Sequence, residues 1–180
     1  MTRYVAFLRA INVGGHVVTM AVLKREFEAL GFGDVETFIA SGNVIFSSRS
    51  GDETALVRKI ERRLESQLGY GVATFLRTPE DIGSIASGKP FPAAAMKAAA
   101  AINVGFLDAP LPAAARKALD GLETDIDTFH TAGRELYWMC KEKQSGSKVS
   151  NVVLERALKV RCTMRGMNTI VRLAARFPRT

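Results

Sequence analysis

Two nine-residue stretches constrain this chain more than any other feature. Phe38-Ile-Ala-Ser-Gly-Asn-Val-Ile-Phe46 and Phe129-His-Thr-Ala-Gly-Arg-Glu-Leu-Tyr137 each carry an aromatic at both ends and a glycine at the centre. Each reads as two strands joined at a glycine-containing turn, the chemistry of a β-hairpin. A supersecondary unit that recurs within one chain points to a fold built twice. The elements around each hairpin must therefore be read side by side.

Around the first hairpin the order is regular. Tyr4 to Leu8 is a near-continuous apolar run, expected of a central strand. Thr19 is placed as an N-cap before Met20, Leu23, Phe27 and Leu30, which recur at helical spacing until Gly31. Strands over 35–40 and 44–47 form the hairpin. Residues 52–68, with Leu56, Ile60, Leu64 and Leu68 on one face, predict a helix closed by Gly69. A strand over 72–77 completes βαββαβ, the ferredoxin-like arrangement.

The second half follows suit: a strand over 103–107, a helix over 112–122, the hairpin, a helix over 151–159 and a strand over 160–165. An amphipathic helix over 168–177 ends the chain. Its apolar positions Ile170, Val171, Leu173, Ala174 and Phe177 are expected to pack on the body, with Arg172, Arg176 and Arg179 in water. The predicted class is α+β: two ferredoxin-like (βαββαβ) subdomains in tandem with a C-terminal helix. Residues 1–90 form the first half, 91–101 a linker rich in proline and alanine, and 102–180 the second half with the terminal helix. Phe7, Leu30, Ile39, Phe46, Leu64 and Phe75 are expected in the first core, and Phe106, Leu119, Phe129, Leu136 and Leu158 in the second.

At 180 residues, 47% apolar and 24% charged, the chain has ordinary globular composition and enough length to bury a core without disulfide staples. Its opening residues lack the apolar run of a secretory signal, and no stretch approaches the roughly 20 apolar residues of a membrane span. A cytoplasmic protein with no membrane attachment is the expectation. The net charge of +7 is concentrated late: residues 141–180 hold ten Lys and Arg against Glu142 and Glu155. That balance favours phosphate-bearing partners, an anionic small molecule or nucleic acid, although a solvated basic face has the same composition.

The residues that suggest a site cluster early. Arg9, Asn12, Gly14 and Gly15 follow the first strand, where glycine lets backbone amides approach a ligand closely. Arg77 and Arg165 end later strands, and Asn168 opens the terminal helix. Guanidinium groups suit bidentate contact with phosphate or carboxylate. The expected ligand-binding set is Arg9, Asn12, Gly14, Gly15, Arg77, Arg165 and Asn168, meeting on an anion between the halves. The competing reading pairs each arginine with a nearby carboxylate such as Asp34, Asp81 or Asp108. Neither His16 nor His130 stands at metal-ligand spacing from Cys140 or Cys162, so no metal is expected. No Walker or full dinucleotide fingerprint follows the glycine pair, so no cofactor is expected either. Cys140, on a strand beside Trp138 and Met139, reads as a buried thiol.

With those residues in place, the chain resembles a widespread bacterial family known only as a domain of unknown function. The resemblance rests on Leu8 to Gly15, Leu30-Gly31-Phe32, Ser41-Gly42-Asn43-Val44, Pro90-Phe91 and Thr163 to Thr169. It implies a pair of ferredoxin-like subdomains and no established activity. The family's last motif resembles Thr-x-Arg-Asn-Trp-Asn-Thr, whereas Gly166 and Met167 stand here in place of asparagine and tryptophan. Two classes of function follow: a binding module for a phosphorylated ligand or RNA through an arginine-lined site, or a small metal-independent enzyme acting on an anionic metabolite. The paired aromatics of an RNA-recognition sheet are missing from 43–48, and Tyr137 and Trp138 are adjacent, hence on opposite faces.

Overall fold

A computed structural model of the chain describes residues 1–12 and 14–177; Val13 of the glycine-pair motif and Arg179 lie outside them. The elements in order are β1 (Thr2–Leu8), α1 (Met20–Ala29), β2 (Gly33–Thr37), β3 (Asn43–Ser48), α2 (Glu53–Leu68), β4 (Thr74–Arg77), α3 (Pro79–Ser87), α4 (Ala93–Ala98), β5 (Ala101–Leu107), α5 (Ala113–Asp120), β6 (Asp127–Ala132), β7 (Glu135–Cys140), α6 (Asn151–Leu158), β8 (Cys162–Gly166) and α7 (Met167–Ala174). The strands form two four-stranded antiparallel sheets, β2-β3-β1-β4 and β6-β7-β5-β8. This is the ferredoxin-like order, found twice in tandem. The chain divides into two compact units, Met1–Gly83 and Ser84 onward.

Alternation along the strands builds each core. Tyr4, Ala6 and Leu8 of β1 join Phe46 of β3 beneath Leu23 and Phe27 of α1 and Leu56, Ile60 and Leu64 of α2. In the second unit Leu107, Leu136 and Trp138 pack with Leu119 of α5 and Leu154 and Leu158 of α6. The alternate residues are buried as well: Val5, Phe7, Ile45 and Phe75 in the first sheet, Val104, Phe106, Tyr137 and Met139 in the second. The central strands are therefore closed to solvent on this face as well, while Arg3 and Glu36 in the first sheet and His130 in the second, which share it, remain partly or fully exposed.

The registers correct the alignment of the two hairpins. Val5 stands between Ile45 and Arg77, and Val104 between Tyr137 and Arg165. With the two valines as equivalents, Tyr137 matches Ile45, and Phe46 matches Trp138 rather than Tyr137. The difference arises at the turns. In the first hairpin Phe38 N donates to Asn43 O, so residues 39–42 make the turn; in the second, Ala132 pairs directly with Glu135 and only 133–134 intervene. A gapless overlay thus slips the strand by one residue, which exchanges its faces. The longer turn also places Ile39 outside the core: it is 37% exposed with φ 50°. Leu30 and Phe129 are half-buried and pack at the rims of the two cores.

Helix ends follow sequence chemistry. Thr19 accepts from Val22 N at 3.2 Å, Asp52 from Ala55 N at 2.9 Å and Ser150 from Val153 N at 3.2 Å, each cap worth about 1 kcal/mol. The sequence reading passed over α3, yet its start signal is explicit. Pro79 occupies the first turn, while Thr78 and Asp81 bond reciprocally: Asp81 accepts from Thr78 N at 2.9 Å, and Thr78 Oγ1 accepts from Asp81 N at 3.2 Å. Within the expected linker, 93–98 form the short helix α4. The terminal helix α7 packs on β8 and β5, with Ile170 and Leu173 buried. Val171, expected inside, is 48% exposed because it lies off the Ile170–Leu173 stripe.

One buried carboxylate joins the first unit's helices. Glu26 of α1, 2% exposed, accepts from Arg63 Nε of α2 at 2.7 Å and from Arg25 Nε at 3.2 Å. Burial pushes its pKa up, but the two arginines outweigh burial and hold it below the ordinary carboxylate range. A depressed pKa contributes stability that is complete above the unfolded value, about 4.3, and is lost as pH falls through the folded value. Glu26→Gln should lower stability near neutral pH by roughly 1.5–3 kcal/mol. Urea denaturation at descending pH should show the gap to the unaltered protein closing below about pH 4. For the terminal helix, Leu173→Ala should cost about 2–5 kcal/mol and Val171→Ala about 0.5 kcal/mol or less, read from the same curves.

Candidate functional site

Antiparallel pairing decides which connections meet. The β1–α1 connection (9–19), the β2–β3 turn (38–42) and the α2–β4 connection (69–73) all emerge at one end of the first sheet. They are bonded to one another there. Leu8 N donates to Gly42 O at 2.8 Å, Arg9 N to Ala73 O at 2.9 Å and the Tyr70 hydroxyl to Ile11 O at 3.0 Å. The His16 ring stacks on Tyr70 with centroids 4.0 Å apart. Asn12 Oδ1 accepts from Val18 N at 2.7 Å and closes the loop just before the Thr19 cap. Asn43 Nδ2 donates to Phe38 O at 3.0 Å and to Ser41 Oγ at 2.8 Å, which holds the neighbouring turn.

This end of the sheet is conformationally costly. Ala10 (φ 54°) and Ile39 (φ 50°) are left-handed without being glycine, at about 1–2 kcal/mol each. Such residues gather where surrounding structure over-determines the chain, commonly at functional sites. Gly42 (φ 74°) is required twice over, because a Cβ there would lie 2.8 Å from Ile11 Cγ2 and 3.3 Å from the Leu8 carbonyl oxygen. Gly14 (φ 68°) and Gly15 (φ 86°) differ: nothing stands within 4 Å of a Cβ at either, so their backbone faces open space.

Arg9, Asn12, Gly14 and Gly15 thus share one connection. Arg77 is elsewhere. It pairs with Val5 whereas Thr74 pairs with Leu8, so it lies at the opposite end of the same sheet, roughly 10 Å along the strand. It is 1% exposed, and its Nη1 donates to Leu76 O at 2.7 Å. Arg165 and Asn168 belong to the second unit. Arg165 Nη1 donates to Thr163 Oγ1 at 2.9 Å and Met164 O at 2.8 Å, so the register match with Arg77 extends to a bond with the preceding carbonyl. Burial lowers the Arg165 pKa to about 10, still cationic at neutral pH. Asn168 is exposed in the first turn of α7. The carboxylates weighed as arginine partners have other engagements: Asp34 accepts from Ser47 Oγ, Asp81 caps α3, and Asp108 pairs bidentately with Arg161 at 2.8 and 2.9 Å.

Two features escaped the sequence reading. Tyr70 gave no signal beyond its position between glycines, and only the fold sets it under His16 and Ile11. In the second unit, buried Asp127 of β6 accepts from Trp138 Nε1 and Thr124 Oγ1 at 2.8 Å each and lies 2.9 Å from Ser147 Oγ. Burial raises its pKa, but these donors prevail and hold the carboxyl below its usual range. The thiol of Cys140 is pushed up by burial and by the Asp127 charge, and it is inert packing. Among the described residues no group of three His, Cys, Asp or Glu is arranged to hold a metal ion, and no helix is long and apolar enough to cross a membrane.

The two kinds of glycine separate in a simple test. Gly42→Ala should destabilise the protein by more than 2 kcal/mol, combining left-handed strain with overpacking against Ile11 and Leu8. Gly14→Ala, with strain alone, should cost about 1–2 kcal/mol. Equal costs in thermal or urea denaturation would contradict the packing of the turn beneath the loop.

Comparison with known proteins places the chain. Among solved structures, the conserved bacterial protein SP0830 from Streptococcus pneumoniae is 26% identical to it, covers 98% of both chains and superposes with a TM-score of 0.78. No curated protein matches. The sequence profile described as protein of unknown function (DUF1697) matches residues 1–137, which span β1 to the start of β7 and hold the Arg9 loop and both hairpin turns. The chain belongs to the DUF1697 family.

Proposed function

We propose that the protein is a binding module for a small phosphorylated or carboxylated ligand, held at the β1–α1 connection of the first unit. The observation that carries this reading is the pair of left-handed glycines facing open space in a loop anchored through Arg9 N, Ile11 O and Asn12 Oδ1. Successive amide N–H groups in a turn can form a concavity that suits anions, and glycines at positive φ permit such a turn. Arg9 supplies positive charge where the strand enters the loop, and the first turn of α1 carries no acidic residue to oppose an anion. Asn12 acts as the brace that fixes the loop, through Val18 N. RNA is the weaker candidate, because the residues of β1, β3, β5 and β7 on the sheet faces that ferredoxin-like RNA binders use for base stacking are buried in both units.

Thermal denaturation in increasing inorganic phosphate, phenyl phosphate and acetate tests this. A rise in melting temperature that saturates with one of these anions, and not with chloride at equal ionic strength, is the expected result. Arg9→Ala should weaken that binding by roughly 1.5–3 kcal/mol and leave the protein folded. A large loss of stability with no anion-dependent shift would instead make Arg9 a structural cation.

A further inference from the structure

The opposite end of the first sheet holds a second feature, independent of the Arg9 loop. There residues 30–33, from the end of α1 to the start of β2, residues 48–50 at and after the end of β3, and the first two turns of α2 enclose a cleft of about 570 Å³. That size lies within the range of small-molecule sites. Its floor is apolar, from Leu30, Phe32 and Leu56. Its polar side chains are the hydroxyls of Ser48 and Ser50 and the cations Arg49 and Lys59, and among the described residues no carboxylate lines it.

Each donor has a defined state. Lys59 Nζ is fixed on the wall, 2.7 Å from Leu30 O and 5.3 Å above the Phe32 ring. Ser48, 6% exposed, accepts from Ser50 N at 3.1 Å and keeps its own hydroxyl proton for a further acceptor. The Arg49 guanidinium makes no ion pair or hydrogen bond among the described residues. The α2 N-terminus does not supply the attraction, since Asp52 already caps it. A rim that is cationic over an apolar floor selects for a molecule with the complementary halves.

We infer that this cleft binds a small amphipathic anion, with an aryl or short alkyl body on Leu30, Phe32 and Leu56 and one phosphate or carboxylate group on Arg49 and Ser48. The head group sits at the mouth, where Arg49 can form a bidentate pair and Lys59 adds charge. The apolar body supplies the burial that inorganic anions lack, so they bind here far more weakly.

The test is a titration of the 15N-labelled full chain with phenyl phosphate, phenylacetate and inorganic phosphate, followed by amide chemical shifts. Either aryl anion should move the amides of 30–33 and 48–59 in a saturable way, at least tenfold more tightly than inorganic phosphate. Arg49→Gln should weaken that binding tenfold or more. Arg62→Gln, the same loss of charge on an exposed position of α2, should change it less than twofold. Ala55→Trp, which fills the cleft from its rim without touching a charge, should abolish it; the unliganded spectrum of each variant reports that it is folded. The inference is overturned if neither aryl anion shifts these amides, if the saturable shifts fall only on 9–16, or if folded Arg49→Gln and Ala55→Trp bind as the unaltered protein does. Shifts confined to 9–16 would leave the Arg9 loop as the anion site, so the two readings fail separately.

Discussion

Everything in this molecule depends on the double burial of its central strands. β1 and β5 are hydrogen-bonded along both edges and covered on both faces, from Tyr4 to Leu8 and from Asn103 to Leu107. Such a strand has its backbone groups committed to its neighbours and offers a ligand little access. Chemistry is confined to places where the chain leaves the sheet. It also explains the form of Arg77, the largest fully buried side chain. The Arg77 guanidinium is shut off from water, and it is satisfied in part by the carbonyl of its own neighbour.

The buried carboxylates extend the same principle to tertiary structure. Glu26 sits between two helices and is answered by arginines, so it fixes how α1 lies against α2. Asp127 sits at a strand start and is answered by neutral donors from a strand, a turn and the loop after β7. Both are ionised because their partners outweigh burial, and both would be costly to leave unanswered. Each thereby ties together segments far apart in sequence: 26 with 63, and 127 with 138 and 147.

Much of this was legible in the chain because local chemistry and fold agree. The continuous burial of β1, the Thr19 and Asp52 caps and the helix end at Gly69 follow from side chains that have one good place to go. Three things were not legible. The hairpin overlay failed because glycine and aromatic spacing do not encode turn length, and a two-residue difference in the turn outweighs any likeness of side chains. The meeting of Arg9 with Arg77 failed because strand direction, not position at a strand end, decides which residues are neighbours. The His16–Tyr70 stack and the Arg49 cleft depend on segments brought together only by the order β2-β3-β1-β4, so no local pattern announces them.

The unequal hairpin turns have a consequence for how the two units differ. Both carry the same tertiary hydrogen bond, from Leu8 N to Gly42 O in one and from Leu107 N to Arg134 O in the other. In the first, the longer turn presents a bare glycine backbone, and Ile11 settles directly on it. In the second, an arginine stands at the corresponding point, and the chain passes from β5 to α5 through the short, twice-proline segment 108–112. The first unit thus has a four-residue turn on which Ile11 packs, and the second a two-residue turn. Two units of one topology therefore differ at this end through the length of a turn and a few residues outside either core.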